Sequence, residues 1–119
     1  MKTDRKTFIE INKLLGDLNV SYKCAGRLYL IDMVGNMIDN DISYFNYRVT
    51  KDGYPSTAAH FKTTVSAVER NCRHAIDSGY KNAPDAWAKI LGIHEKPSVY
   101  EALCAIMIYY WTILKGTEE

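Results

Sequence analysis

Between Thr63 and His74 the chain carries Thr63, Thr64, Ser66, Glu69, Arg70, Arg73 and His74, a set of hydroxyl, carboxylate, guanidinium and imidazole side chains within a dozen positions. If the segment is a helix, residues 66, 69, 70, 73 and 74 share one broad face. Arginines at Arg70 and Arg73 suit bidentate contact with guanine or neutralisation of phosphate. Glu69 suits acceptance from a cytosine amine, and His74 suits reach to a phosphate. Hydroxyls at Thr63, Thr64 and Ser66 suit phosphate contact at a helix start. Duplex DNA is the partner that this chemistry suggests first.

The same residues have a structural reading. Ser66 with Glu69 matches a capping box, and Glu69 with Arg73 is an i, i+4 ion pair. Either accounts for the glutamate without DNA, because trihelical folds with solvated charged faces are common.

Such a face needs a platform. Pro55 fits the first turn of a helix, and Ser56 to Phe61 then makes a short helix carrying Ala58, Ala59 and Phe61. After a break at Lys62 and Thr63, Thr64 caps the next helix. Its inner stripe is Val65, Val68, Cys72, Ala75, Ile76 and Gly79. Together they read as a helix-turn-helix at about 55–80, with Ala58 and Ala59 giving small residues where the helices cross, Phe61 closing the core at the turn, and Val65 and Val68 anchoring the reading helix from beneath.

Elsewhere the periodicity is also helical. Thr7 to Leu18 places Phe8, Ile11, Leu14 or Leu15, and Leu18 on one face, while Ala25 to Ile38 repeats Leu28, Ile31, Val34 or Gly35, and Ile38. Pro84 opens a helix closed by Gly92, and Pro97 with Ser98 opens the last, running to about Lys115. Tyr44, Phe45 and Tyr47 lead to the turn signal Lys51-Asp52-Gly53, a short helix or an irregular connection, with no second alternating run to pair as a strand. The expectation is an all-α fold, a compact bundle of about six helices forming a single domain over 1–119.

Composition narrows the classes. With 119 residues, 47% apolar and 24% charged, the chain suits one globular core. A formal net charge of +1 gives no global electrostatic case for nucleic acid, so any DNA contact must rest on local placement of charge. Cys24, Cys72 and Cys104 are odd in number and form no CxxC pair, which argues against a disulfide framework and a zinc site and fits a reducing cytoplasm. The N-terminus has no apolar signal core, and the longest uncharged run, Ala102 to Leu114, falls short of the ~20 residues needed to cross a bilayer.

No cofactor or metal is expected, since His60, His74 and His94 are dispersed. Asp32, Asp39 and Asp41 with Cys24 and Cys104 form no recognisable catalytic set, so the chain reads as a non-enzyme. The last helix is apolar on more than one side: Val99, Leu103, Ile106, Met107, Tyr110 and Leu114 form a stripe, while Cys104, Ile108, Tyr109 and Trp111 occupy much of the rest. Such a helix is buried or is an interface, for self-association or for a partner.

The run FKTTVSAVERNCRHAI from Phe61 to Ile76 is similar to a family pattern, Phe-x-Thr-Thr-x-Ser-Arg-Val-Glu-Arg-x-x-Arg-His-Ala-Ile. Similarity extends to Ala25 to Leu30, Tyr54-Pro55, and Lys96-Pro97-Ser98 with Glu101. On these residues the chain resembles the C-terminal effector domain of the sporulation initiation regulators of spore-forming bacteria. The resemblance implies a six-helix fold and sequence-specific duplex binding for transcription control, with copies in tandem on adjacent boxes. Glu69 and Arg70 match positions that read bases, and Arg73 and His74 match positions contacting DNA further along.

Two departures stand out. Ala67 occupies the place of an arginine that reads the groove, a contact worth roughly 1–3 kcal/mol of discrimination. Lys62 replaces the usual turn asparagine and suits an added phosphate contact. The family also carries a phosphorylated receiver domain for which 119 residues leave no room, so the expectation is a regulator that is constitutive, controlled by abundance or dependent on a partner if the chain is whole, and one whose switch lies in the missing half if it is a fragment. A module that kept the fold and lost DNA reading is the competing expectation.

Overall fold

The computed structural model describes residues 5–115. It is all-helical, with six α-helices among the described residues: α1 (Arg5–Asp17), α2 (Ala25–Asp39), α3 (Tyr54–His60), α4 (Val65–Asn82), α5 (Pro84–Leu91) and α6 (Val99–Tyr109). Single π-type turns, Val49–Gly53 and Tyr110–Leu114, precede α3 and continue α6.

The helix ends follow local chemistry. Pro84 opens α5, and Gly92 ends it in the left-handed region at φ 71°. Ser98 and Glu101 form a reciprocal capping box at the start of α6, with Ser98 Oγ accepting from Glu101 N at 3.1 Å and Glu101 Oε1 accepting from Ser98 N at 2.9 Å. Each bond satisfies a backbone donor that the first helical turn leaves without a partner.

The core is built on α2, which packs most extensively against α4 and also meets α1, α3 and α6. Leu30, Ile31, Met33, Val34 and Met37 are buried along it. The stripe expected from the sequence holds at Ile31, Val34 and Gly35, which are buried, and at Ile38, which packs against the core, but not at its first member. Leu28, expected in the core, is 53% exposed, because a helix covered on several sides buries a wide band whose centre the 3.6-residue period does not fix. Helix α1 buries Ile11, Leu14 and Leu15 as expected, with Leu18 following, but Phe8 is 41% exposed and Thr7 takes the inward position.

Between α1 and α2 the chain turns through Asn19, and the Trp87 indole of α5 donates to Leu18 O at 2.9 Å. Arg27 is buried at the same corner. Its guanidinium bonds the Val20 and Asn12 carbonyls and the Asn12 side chain, and lies 3.9 Å from the centre of the Tyr22 ring. Desolvation pulls its ionisation below the ordinary arginine value, while neighbouring Tyr22 opposes the shift. The planar group with five donors meets carbonyl acceptors and a ring at once.

The segment from Tyr44 to Gly53 is a series of turns rather than a strand. The buried Tyr47 ring packs against Gly53, where a Cβ would lie 2.7 Å from its hydroxyl oxygen. On α6, Val99, Ala102, Leu103, Ile106 and Met107 are buried and Tyr110 extends the inner stripe, while Ile108, Trp111 and Ile113 face outward. No helix among the described residues is long and apolar enough to cross a membrane.

Candidate nucleic-acid interface

Helix α3, the turn 61–64 and helix α4 form the helix-turn-helix. Pro55 lies in the first turn of α3, where its missing N–H leaves no hydrogen bond unmade. Thr57 and Ala58 are buried, so Ala58 is a small residue on the inward side of α3 as its expected place at the crossing requires. Ala59, expected to share that role, is exposed. The turn is closed by Phe61 N donating to Thr57 O at 3.0 Å and Thr63 N donating to Ala58 O at 2.9 Å. Lys62 sits between them at φ 54°, in the left-handed region that asparagine and glycine enter more readily.

Thr64 has extended backbone angles, and its hydroxyl accepts from Ala67 N at 3.1 Å. The capping box drawn between Ser66 and Glu69 does not form, since Ser66 already lies inside the first turn of α4 and Thr64 supplies the cap. Phe61 does not close the core. It is 36% exposed, with its ring edge-on to Tyr29 of α2 at 5.1 Å between centroids. Val68 is fully buried beneath α4, whereas Val65, expected to share that role, is 42% exposed.

Beneath α4 the Cys72 thiol is pushed up to about 12 by burial, with Cys24 adding to the shift. Cys72 is therefore a packing residue with little thiolate character. The Tyr54 phenol at the start of α3 is likewise raised to about 12, by burial first and then by Cys72 and Glu69.

The outer surface of α4 carries Ser66, Glu69, Arg70, Arg73 and His74, all exposed. From Glu69 to His74 is about 7.5 Å of helix axis at 1.5 Å per residue, a length that fits within a major groove. Arg73 Nη1 donates to Glu69 Oε1 at 3.0 Å, so the expected i, i+4 pair is present. Arg70 has no ion-pair partner among the described residues. One arginine is thus held by a carboxylate and its neighbour is free. Lys62 and Thr64 are exposed at the N-terminal end of this face and Thr63 is half-buried, while Ala67, also half-buried, contributes only a methyl group.

Beside α4 runs a cleft of about 600 Å³ lined by Tyr54, Glu69, Arg73, Asp77, Lys96 and Tyr100 among others. Lys96 approaches Asp77 at 3.7 Å across it. Sequence reasoning assigned Lys96 and Asp77 no role together, because the pair joins α4 to the loop before α6.

A second arrangement missed from sequence lies on α2. Asp32 accepts from Thr57 Oγ1 at 2.8 Å and pairs with His60 Nδ1 at 2.7 Å. A threonine, a histidine and an aspartate in contact invite comparison with a nucleophilic triad, but the order of contacts is wrong for one. The Thr57 hydroxyl is fully buried and bonded to the carboxylate, not to the imidazole, so the contact between nucleophile and base is missing.

Over residues 11–101 the chain matches the family described as Sporulation initiation factor Spo0A C terminal. It belongs to that family, and with membership comes the family's character: the helical, DNA-binding domain of a sporulation transcription regulator.

Proposed function

We propose that this Spo0A C-terminal family member binds double-stranded DNA in a sequence-specific manner as a transcription regulator, acting in the cytoplasm as one helical domain. Arg70 and Glu69 read base edges in the major groove. Arg73 and His74 contact DNA further along α4. Lys62, Thr63, Thr64 and Ser66 touch phosphates at its N-terminal end, and Ala67 faces the groove without a polar contact. Copies stand in tandem on adjacent boxes, as the family resemblance implies.

The observation that carries this reading is the unpaired, exposed Arg70 guanidinium next to the Glu69–Arg73 pair, on a helix whose first turn is capped and whose inner stripe is anchored. The pair supports it in a particular way. Glu69 keeps acceptor capacity while restraining Arg73, so that part of the ordering entropy of a long side chain is lost before DNA arrives.

Fluorescence anisotropy against a duplex carrying the family's box and a scrambled duplex, across a salt series, tests the reading. Tighter binding to the box is expected. Arg70→Ala should reduce the preference for the box. Arg73→Ala should weaken both duplexes and flatten the log–log salt slope by ~0.9 for each phosphate that is no longer neutralised. Duplex affinity unchanged in the double variant Arg70→Ala with Arg73→Ala would overturn it.

Two observations favour a second reading, a protein-interaction module that has lost DNA reading. Ala67 removes a groove contact, and Ile108, Trp111 and Ile113 leave an apolar ridge exposed at the end of α6 and in the turn that follows it. Absence of binding to either duplex is the result that would select it.

A further inference from the structure

Helix α2 grips both halves of the helix-turn-helix. Near its start it lies against α4, where Gly26 lets the backbones meet and the Cys24 thiol approaches Asn71 O at 3.9 Å. Two turns later Asp32 reaches α3, and its two oxygens are divided between Thr57 and His60, residues three apart on one face of that helix. A carboxylate only accepts, so the His60 proton at this contact lies on Nδ1. Tyr29, three residues before Asp32, holds Phe61 edge-on, and the Phe61 ring lies 4.6 Å from that of His60. The whole C-terminal end of α3 is therefore fastened to α2 immediately before the left-handed Lys62 that starts the turn into α4.

Stability alone is a poor account of this contact. The Asp32 side chain is 16% exposed, and removing a carboxylate from water costs free energy that an apolar side chain of similar shape would not incur. What a carboxylate adds is direction, because two hydrogen bonds accepted by one rigid group fix both the rotation and the axial position of α3. Burial raises the Tyr47 phenol above its ordinary value, and the Asp32 charge adds to the shift.

We propose that Asp32 is a positioning residue for base reading. Acting through Thr57 and His60, it sets the seat of α3 and, through the turn 61–64, the register in which α4 presents Glu69 and Arg70 to DNA. The inference rests on the DNA-reading proposal above.

The experiment compares wild type with Asp32→Ala, Thr57→Val, His60→Ala and Asp32→Asn in the full chain. It measures the affinity ratio between box and scrambled duplexes, and the salt slope, at a temperature where circular dichroism shows each protein folded. The expected result is a roughly tenfold fall in the ratio for Asp32→Ala, within the range spanned by coupled networks. Thr57→Val and His60→Ala should fall in the same direction. Asp32→Asn, which keeps one carbonyl acceptor, should be intermediate. The salt slope should not change, since every phosphate-facing side chain is retained. A purely structural role would lower the unfolding midpoint and leave the ratio alone. If Asp32→Ala does not fold, His60→Ala carries the test, its side chain being 62% exposed.

Folded variants that keep the wild-type ratio would overturn the inference while leaving the DNA reading intact. A wild-type protein that does not discriminate would overturn both, and is recognised before any variant is made.

Discussion

Gly26 in α2 lies directly against the backbone carbonyl of Asn71 in α4. A Cβ at Gly26 would fall 2.1 Å from that oxygen and 2.8 Å from the Ala75 Cβ. The two nearest obstructing atoms are the Asn71 carbonyl carbon and oxygen, backbone of the helix proposed to read DNA, so relief requires moving α4 itself. Helix propensity alone favours Gly26→Ala by up to about 1 kcal/mol. Overpacking of a close crossing costs typically about 1–3 kcal/mol. The clash should win, with a lower urea midpoint at unchanged m-value and weaker duplex binding. A variant as stable as wild type would mean that the two helices separate easily.

At half-buried Ala67 the bond to the Thr64 cap is made by the backbone N–H and not by the side chain. Ala67→Arg restores the arginine of the family pattern without disturbing that bond. Discrimination between the box and a single-base variant should rise by roughly 1–3 kcal/mol in competition binding. No change would place position 67 away from the base edges.

Lys62 occupies the left-handed region at φ 54°, a conformation costing roughly 1–2 kcal/mol for most L-residues and less for asparagine. Lys62→Asn should therefore raise the thermal midpoint. If the lysine also touches a phosphate, the same change should flatten the salt slope by ~0.9. The two readouts separate a strained turn from a DNA contact, and a lower midpoint would contradict the backbone argument.

Burial holds the Cys72 thiol, ordinarily 9.0, at about 12 and the Tyr54 phenol, ordinarily 10.0, also at about 12. Both stay protonated in the fold at pH values where the unfolded chain ionises. Their contribution is complete below about pH 9 and is lost as pH rises towards 12. Urea midpoints should decline across that window, and Cys72 should resist thiol reagents in the native protein. A midpoint unchanged from about pH 8 to 11 would contradict the burial of these groups.

Much of the architecture is local and was legible for that reason. The Thr64 cap, the prolines at the starts of α3 and α5, Gly92, and Ser98 at the start of α6 each act within a few residues. Their partners lie inside the window that a sequence pattern spans. The outer face of α4 and its Glu69–Arg73 pair follow from helical periodicity, and the run from Phe61 to Ile76 pointed to the family that the chain belongs to.

The tertiary structure decided what periodicity leaves open. It turned Leu28, Phe8, Ala59 and much of Phe61 outward, because which flank of a helix is covered depends on neighbours that arrive from elsewhere in the chain. It also brought Asp32 to Thr57 and His60, and the Arg27 guanidinium to Asn12 and Val20. A hydrogen bond between groups on different elements leaves no mark on the spacing of either, since its geometry exists only after the elements that carry the two groups have packed.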